Sequence, residues 1–87
     1  MESEDKVVQT FDMRRILKRT RLPLICVYKN PADYPGKYVA RLWDVDKPTT
    51  LVVLANSLEQ IRAVRPPEMI IMQRQINDDP VIVETWI

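Results

Sequence analysis

Apolar and polar residues alternate with a period of two over 37–44 (KYVARLWD). Tyr38, Ala40 and Leu42 fall on one side there, with Val39, Arg41 and Trp43 on the other. That pattern predicts a strand with one face in a core. Four more stretches read as strands. The run 22–28 (LPLICVY) is apolar at nearly every position, which suits a strand buried on both faces or one whose second face meets another subunit. The β-branched run 50–55 (TLVVLA) follows a turn at 45–48. The segments 69–76 (MIIMQRQI) and 81–87 (VIVETWI) are separated by Asn77-Asp78-Asp79-Pro80. Two prolines, an Asn and a Pro-Gly step make 29–36 a loop.

Helical spacing occurs twice. Met13, Ile16 and Leu17, with Thr10 or Asp12 as an N-cap, predict a short basic helix over about 10–20, closed by Pro23. Ser57-Leu58-Glu59-Gln60 has the form of a capping box, in which Ser57 accepts from the Gln60 N–H and the Gln60 side chain returns to the Ser57 N–H. Leu58, Ile61 and Val64 continue it as a narrow apolar stripe until Pro66-Pro67 ends the helix, so it spans about 57–65. A helix this short is unstable alone and must dock on a sheet. The expected fold is therefore α+β: a mostly antiparallel sheet of about five strands, with the short helix on one face and the basic helix before it. Residues 1–9 are expected to form a flexible tail, and 10–87 a single domain.

Composition narrows the chemistry. The chain has 87 residues, 46% of them hydrophobic and 29% charged, as an ordinary small domain does. It has no histidine, which removes the commonest general base and metal ligand. Gly36 is its one glycine, leaving no phosphate-cradling loop, and Cys26 is its one cysteine, leaving no internal disulfide or Cys-rich metal site. No cofactor and no metal is expected. The acidic start is unlike a signal peptide, and no apolar run approaches the roughly 18 residues that span a bilayer, so a cytoplasmic protein is expected.

Net charge is only +1, but residues 1–44 hold nine Lys and Arg against six acidic residues, whereas 45–87 hold four against six. The excess lies in Arg14, Arg15, Lys18, Arg19 and Arg21. On a helix these residues can meet nucleic-acid phosphates, or simply form a solvated face whose stems cover apolar surface. Trp43 and Trp86 each share a strand face with a charged neighbour, Arg41 and Glu84, which suits either packing under a helix or anchoring an interface. Tyr34, in the proline loop, belongs with Trp43, Trp86 and Arg41 as an interaction candidate. The acidic pairs Asp44/Asp46 and Asp78/Asp79 are read as turn residues before cation ligands. Cys26 lies in an apolar run with no base near it and reads as a small core residue.

No catalytic constellation emerges. The favoured reading is a non-catalytic interaction or oligomerisation module, self-associating or binding a small protein partner. The alternative is a nucleic-acid-binding accessory protein using 14–21. Self-association is expected to run through the last strand, read as an uncovered edge.

Overall fold

A computed structural model describes residues 5–87 of the chain. Eight elements follow one another: β1 (Lys6–Val7), α1 (Met13–Arg19), β2 (Pro23–Lys29), β3 (Tyr38–Asp44), β4 (Lys47–Ala55), α2 (Leu58–Arg62), β5 (Ile71–Gln73) and β6 (Ile82–Trp86). The six strands form one sheet in the order β1-β4-β3-β2-β6-β5. All neighbours are antiparallel except β1 and β4, so the architecture is the expected α+β with one strand added.

That addition corrects the reading of 1–9 as a tail. Residues 1–4 lie outside the described residues, but Lys6 and Val7 pair with Leu51 and Val52, and the Val8 N–H donates to the Val52 carbonyl at 2.9 Å. Two residues carry too little periodicity to signal a strand. The pairing exists because β4 offers an edge, and the partner lies more than forty positions away in sequence.

Local chemistry explains most of the other boundaries. Asp12 caps α1, its carboxylate accepting from the Arg14 N–H at 3.0 Å. Lys18 and Arg19 fall in the last turn, where they complement the helix dipole. Thr20 leaves the helix in extended conformation, its N–H and hydroxyl both donating to the Ile16 carbonyl. In the α2 cap, Ser57 Oγ accepts from the Gln60 N–H at 3.1 Å as expected. The Gln60 side chain, however, returns to the Asn56 N–H at 2.9 Å rather than to Ser57.

The β3–β4 turn is tighter than 45–48. Asp44 pairs with Lys47, so only Val45 and Asp46 make the hairpin loop. Val45 takes φ 59°, a left-handed value that a β-branched residue adopts only under strain. Pro48 lies within β4, where β1 does not reach and the strand is still an edge. In the 29–36 loop, Pro35 and Gly36 (φ 78°) form a hairpin bend closed by the Lys37 N–H on the Tyr34 carbonyl at 3.2 Å. Left-handed Asn30 accepts from the Gly36 N–H through its side chain.

The β2–β3–β4 meander is as expected, but β6 is not an edge. It sits between β2 and β5, pairing Ile25 with Trp86 and Val27 with Glu84. The 69–76 strand shrinks to three residues because turns consume both flanks: the Met69 N–H bonds the Pro66 carbonyl, and Asp78 accepts from the Gln75 N–H.

One sheet face carries the core. Ile25, Val27, Ala40, Leu42, Val53 and Trp86 pack there with Phe11 and Ile16 of the α1 region and with Ile61 of α2. No helix among the described residues is long and apolar enough to cross a membrane.

Candidate functional site

Strand alternation puts Leu24, Cys26, Tyr28, Val39, Arg41 and Trp43 on the face opposite the core. Among the described residues no helix packs on this face. Leu24, Cys26, Tyr28 and Trp43 are half-buried rather than sealed. Tyr28 and Trp43 reach toward one another across the Cys26–Arg41 pair, and the Trp43 indole N–H donates to the Tyr28 hydroxyl at 3.1 Å. Burial pushes the Tyr28 hydroxyl up to about 12. Burial likewise raises the Cys26 thiol, against weaker opposing hydrogen bonds from Thr85 and Tyr28, so it stays protonated at neutral pH and is a poor nucleophile.

Arg41 and Tyr34 meet on this face through a residue that periodicity did not single out. The Arg41 guanidinium grips Asp5 bidentately, with both bonds at 2.8 Å, and also donates to the Thr49 carbonyl at 2.8 Å and to Asp33 at 3.3 Å. The Tyr34 hydroxyl donates to the same Asp5 carboxylate at 2.8 Å. The bond from Arg41 holds the Asp5 carboxyl below its usual range, and the bond to Asp5 raises the Tyr34 hydroxyl. Arg41 and Tyr34 are therefore spent inside the molecule, tying the N-terminal segment and the β2–β3 loop down over β3 and β4.

Trp86 belongs to the other face. It is wholly buried, and its indole N–H donates to Glu84 at 2.8 Å. It takes the core alternative and leaves the interaction set. Glu84 is itself only 1% exposed. Burial alone would raise its carboxyl, but hydrogen bonds from Arg62 of α2, the shortest at 2.6 Å, and from Trp86 overcome this and leave it lowered. The side-chain polar atoms buried among the described residues all have partners.

The basic cluster is divided by a cleft. All five basic residues are exposed; Arg15 and Arg19, four apart on α1, border a cleft of about 280 Å³ between the helix and the ends of β3 and β4, and Arg14, Lys18 and Arg21 do not line it. Of the acidic pairs, Asp44, Asp78 and Asp79 serve the backbone. Asp44 accepts from the Arg21 and Leu22 N–H groups, Asp79 from the Val81 N–H, and no metal-sized group of three or more Cys, Asp or Glu forms among the described residues.

The remaining candidate is the edge formed by β5. Ile70 and Ile87 exchange both backbone bonds, at 2.7 and 3.0 Å, which makes them a hydrogen-bonded pair. Antiparallel alternation then turns the N–H and C=O groups of Ile71 and Gln73 away from β6. Among the described residues only the Gln75 side-chain amide approaches them, at 3.5 Å from the Gln73 carbonyl. Ile70, Met72, Ile76 and Ile87 are all exposed around this edge. The sequence displayed these residues as an apolar strand, but the strand order that leaves them bare is a tertiary fact. No protein-family model, curated protein or solved structure matches the chain.

Proposed function

We propose that the chain is a non-catalytic interaction module whose partner is a second copy of itself, joined edge to edge through β5. The observation that carries this reading is the set of outward backbone groups at Ile71 and Gln73, centred on exposed Met72. An antiparallel pairing about a twofold axis at Met72 sets Ile71 opposite the partner's Gln73 and the reverse. All four outward pairing groups are then used at once, and Met72 meets its equivalent in the closely spaced register. Arg74 falls opposite the partner's Ile70, so no like charges are brought together across the seam. An exposed, apolar, unpaired edge is a template for such addition. The other edge, β1, is two residues long, and the segment leading into it is held by the Arg41–Asp5 pair.

Light scattering at tens of micromolar protein is expected to give twice the chain mass of 10.2 kDa. Gln73→Pro removes an N–H that β6 does not use, so it should return the protein to monomer with an unchanged circular dichroism spectrum. A monomeric wild type, or a Gln73→Pro variant that still dimerises, would sink the proposal.

A further inference from the structure

The cleft beside α1 has the make-up of a ligand site, independent of the β5 edge. Its floor is apolar, made by Ile16, Leu42 and Leu51, and its rim is cationic, made by Lys6, Arg15 and Arg19. Two carboxylates also line it, and both are already engaged. Asp44 accepts the Arg21 and Leu22 N–H groups, and Asp12 accepts the Arg14 N–H and lies 3.8 Å from Arg15. Three cations against these two carboxylates leave the lining with a net charge of +1. Arg15 and Arg19 are one helical turn apart, so two forked guanidinium groups stand on the same wall, a geometry suited to oxygens spread over one anionic group. At about 280 Å³ the cleft lies at the lower limit for small-molecule sites, with room for one ring and its substituent but not for a dinucleotide.

The geometry points to a small organic phosphate monoester as the ligand, its phosphate between Arg15, Arg19 and Lys6 and its apolar body on Ile16, Leu42 and Leu51. A phosphate monoester offers three terminal oxygens, enough to accept from both guanidinium forks and the Lys6 ammonium at once, where a carboxylate offers two.

Calorimetric titration of the full chain with phenyl phosphate tests this. Saturable one-to-one binding is expected, at least about tenfold tighter than inorganic phosphate, because only the ester covers the apolar floor. Benzoate, which shares the ring but carries a single charge, should bind more weakly. Arg19→Ala should lose about tenfold or more in affinity through the missing charged hydrogen bonds, while Arg14→Ala, on the solvent side of the same helix, should change it less than about twofold. Thermal melts check that both variants fold. Absence of saturation would overturn the assignment, as would benzoate binding as tightly as the ester, or equal losses in Arg14→Ala and Arg19→Ala. Duplex DNA binding tightly in place of phenyl phosphate, with all five basic residues contributing, would instead make 14–21 a nucleic-acid surface.

Discussion

Each face of the sheet carries one tryptophan and one carboxylate-bound arginine, and the two faces use them in opposite ways. On the helix-covered face the carboxylate, Glu84, sits on the strand at the centre of the core, and the arginine, Arg62, comes from α2 and stays partly in water, its side chain 44% exposed. On the open face the arginine, Arg41, sits on the strand, and the carboxylate, Asp5, arrives from the N-terminal segment. The indole N–H follows the same division: Trp86 donates to the buried charge, Trp43 to the neutral Tyr28 hydroxyl. The first arrangement fastens a helix to the core through a charge that cannot be left alone. The second holds a chain end against a face that the rest of the fold leaves half covered.

The largest contrast should come from the tryptophans. Trp86→Ala removes a fully buried ring and one partner of Glu84, so it should cost about 3–5 kcal/mol in urea unfolding, whereas Trp43→Ala should cost nearer 1–2 kcal/mol because its site already meets solvent. Equal costs would mean that the two faces are equally sealed. Next in size is Arg62→Met, which keeps the aliphatic stem and strands the Glu84 carboxylate. A loss of about 2–3 kcal/mol is expected, at or below the low end for breaking a buried pair because Arg62 itself remains half in water.

Asp5→Asn on the open face should act locally. Its expected cost is about 1 kcal/mol, and its signature is faster hydrogen exchange at the Val8 amide with little change in the β2–β3 amides. Global loosening would show that β1 is integral to the core. The smallest effect is on pH dependence. Both Asp5 and Glu84 have folded-state values below their ordinary ones, so the unfolded chain binds more protons as the solution is acidified. Their stabilisation is complete above about pH 5 and is lost as pH falls through the depressed values. Asp5→Asn and Glu84→Gln should each flatten the decline between about pH 5 and pH 3, and stability that grew on acidification would contradict both assignments.

Which of these features the chain shows in advance depends on how far apart the participants lie. The alternation at 37–44 sorts Ala40 and Leu42 to the core and Arg41 and Trp43 away from it, because strand geometry alone fixes which neighbours share a face. The Ser57 cap is visible because donor and acceptor are three residues apart. Arg41 and Asp5 are 36 positions apart, and Arg62 and Glu84 are 22 apart, so no local pattern announces either pair. The five basic residues look like one cluster in the sequence, yet the helix sends Arg15 and Arg19 to a cleft and leaves Arg14, Lys18 and Arg21 outside it, a division set by where α1 docks.

By itself the sequence determined five of the six strands, both helices, the Ser57 cap and the absence of histidine, since propensity, alternation and capping act over a few residues. Only the tertiary structure decided that β6 is interior and β5 is the bare edge. Strand order depends on which apolar faces can be covered together, and that is a property of the assembled sheet: β6, which carries Trp86 and Glu84 beneath the helices, pairs with β2, and the three-residue β5 is left outside.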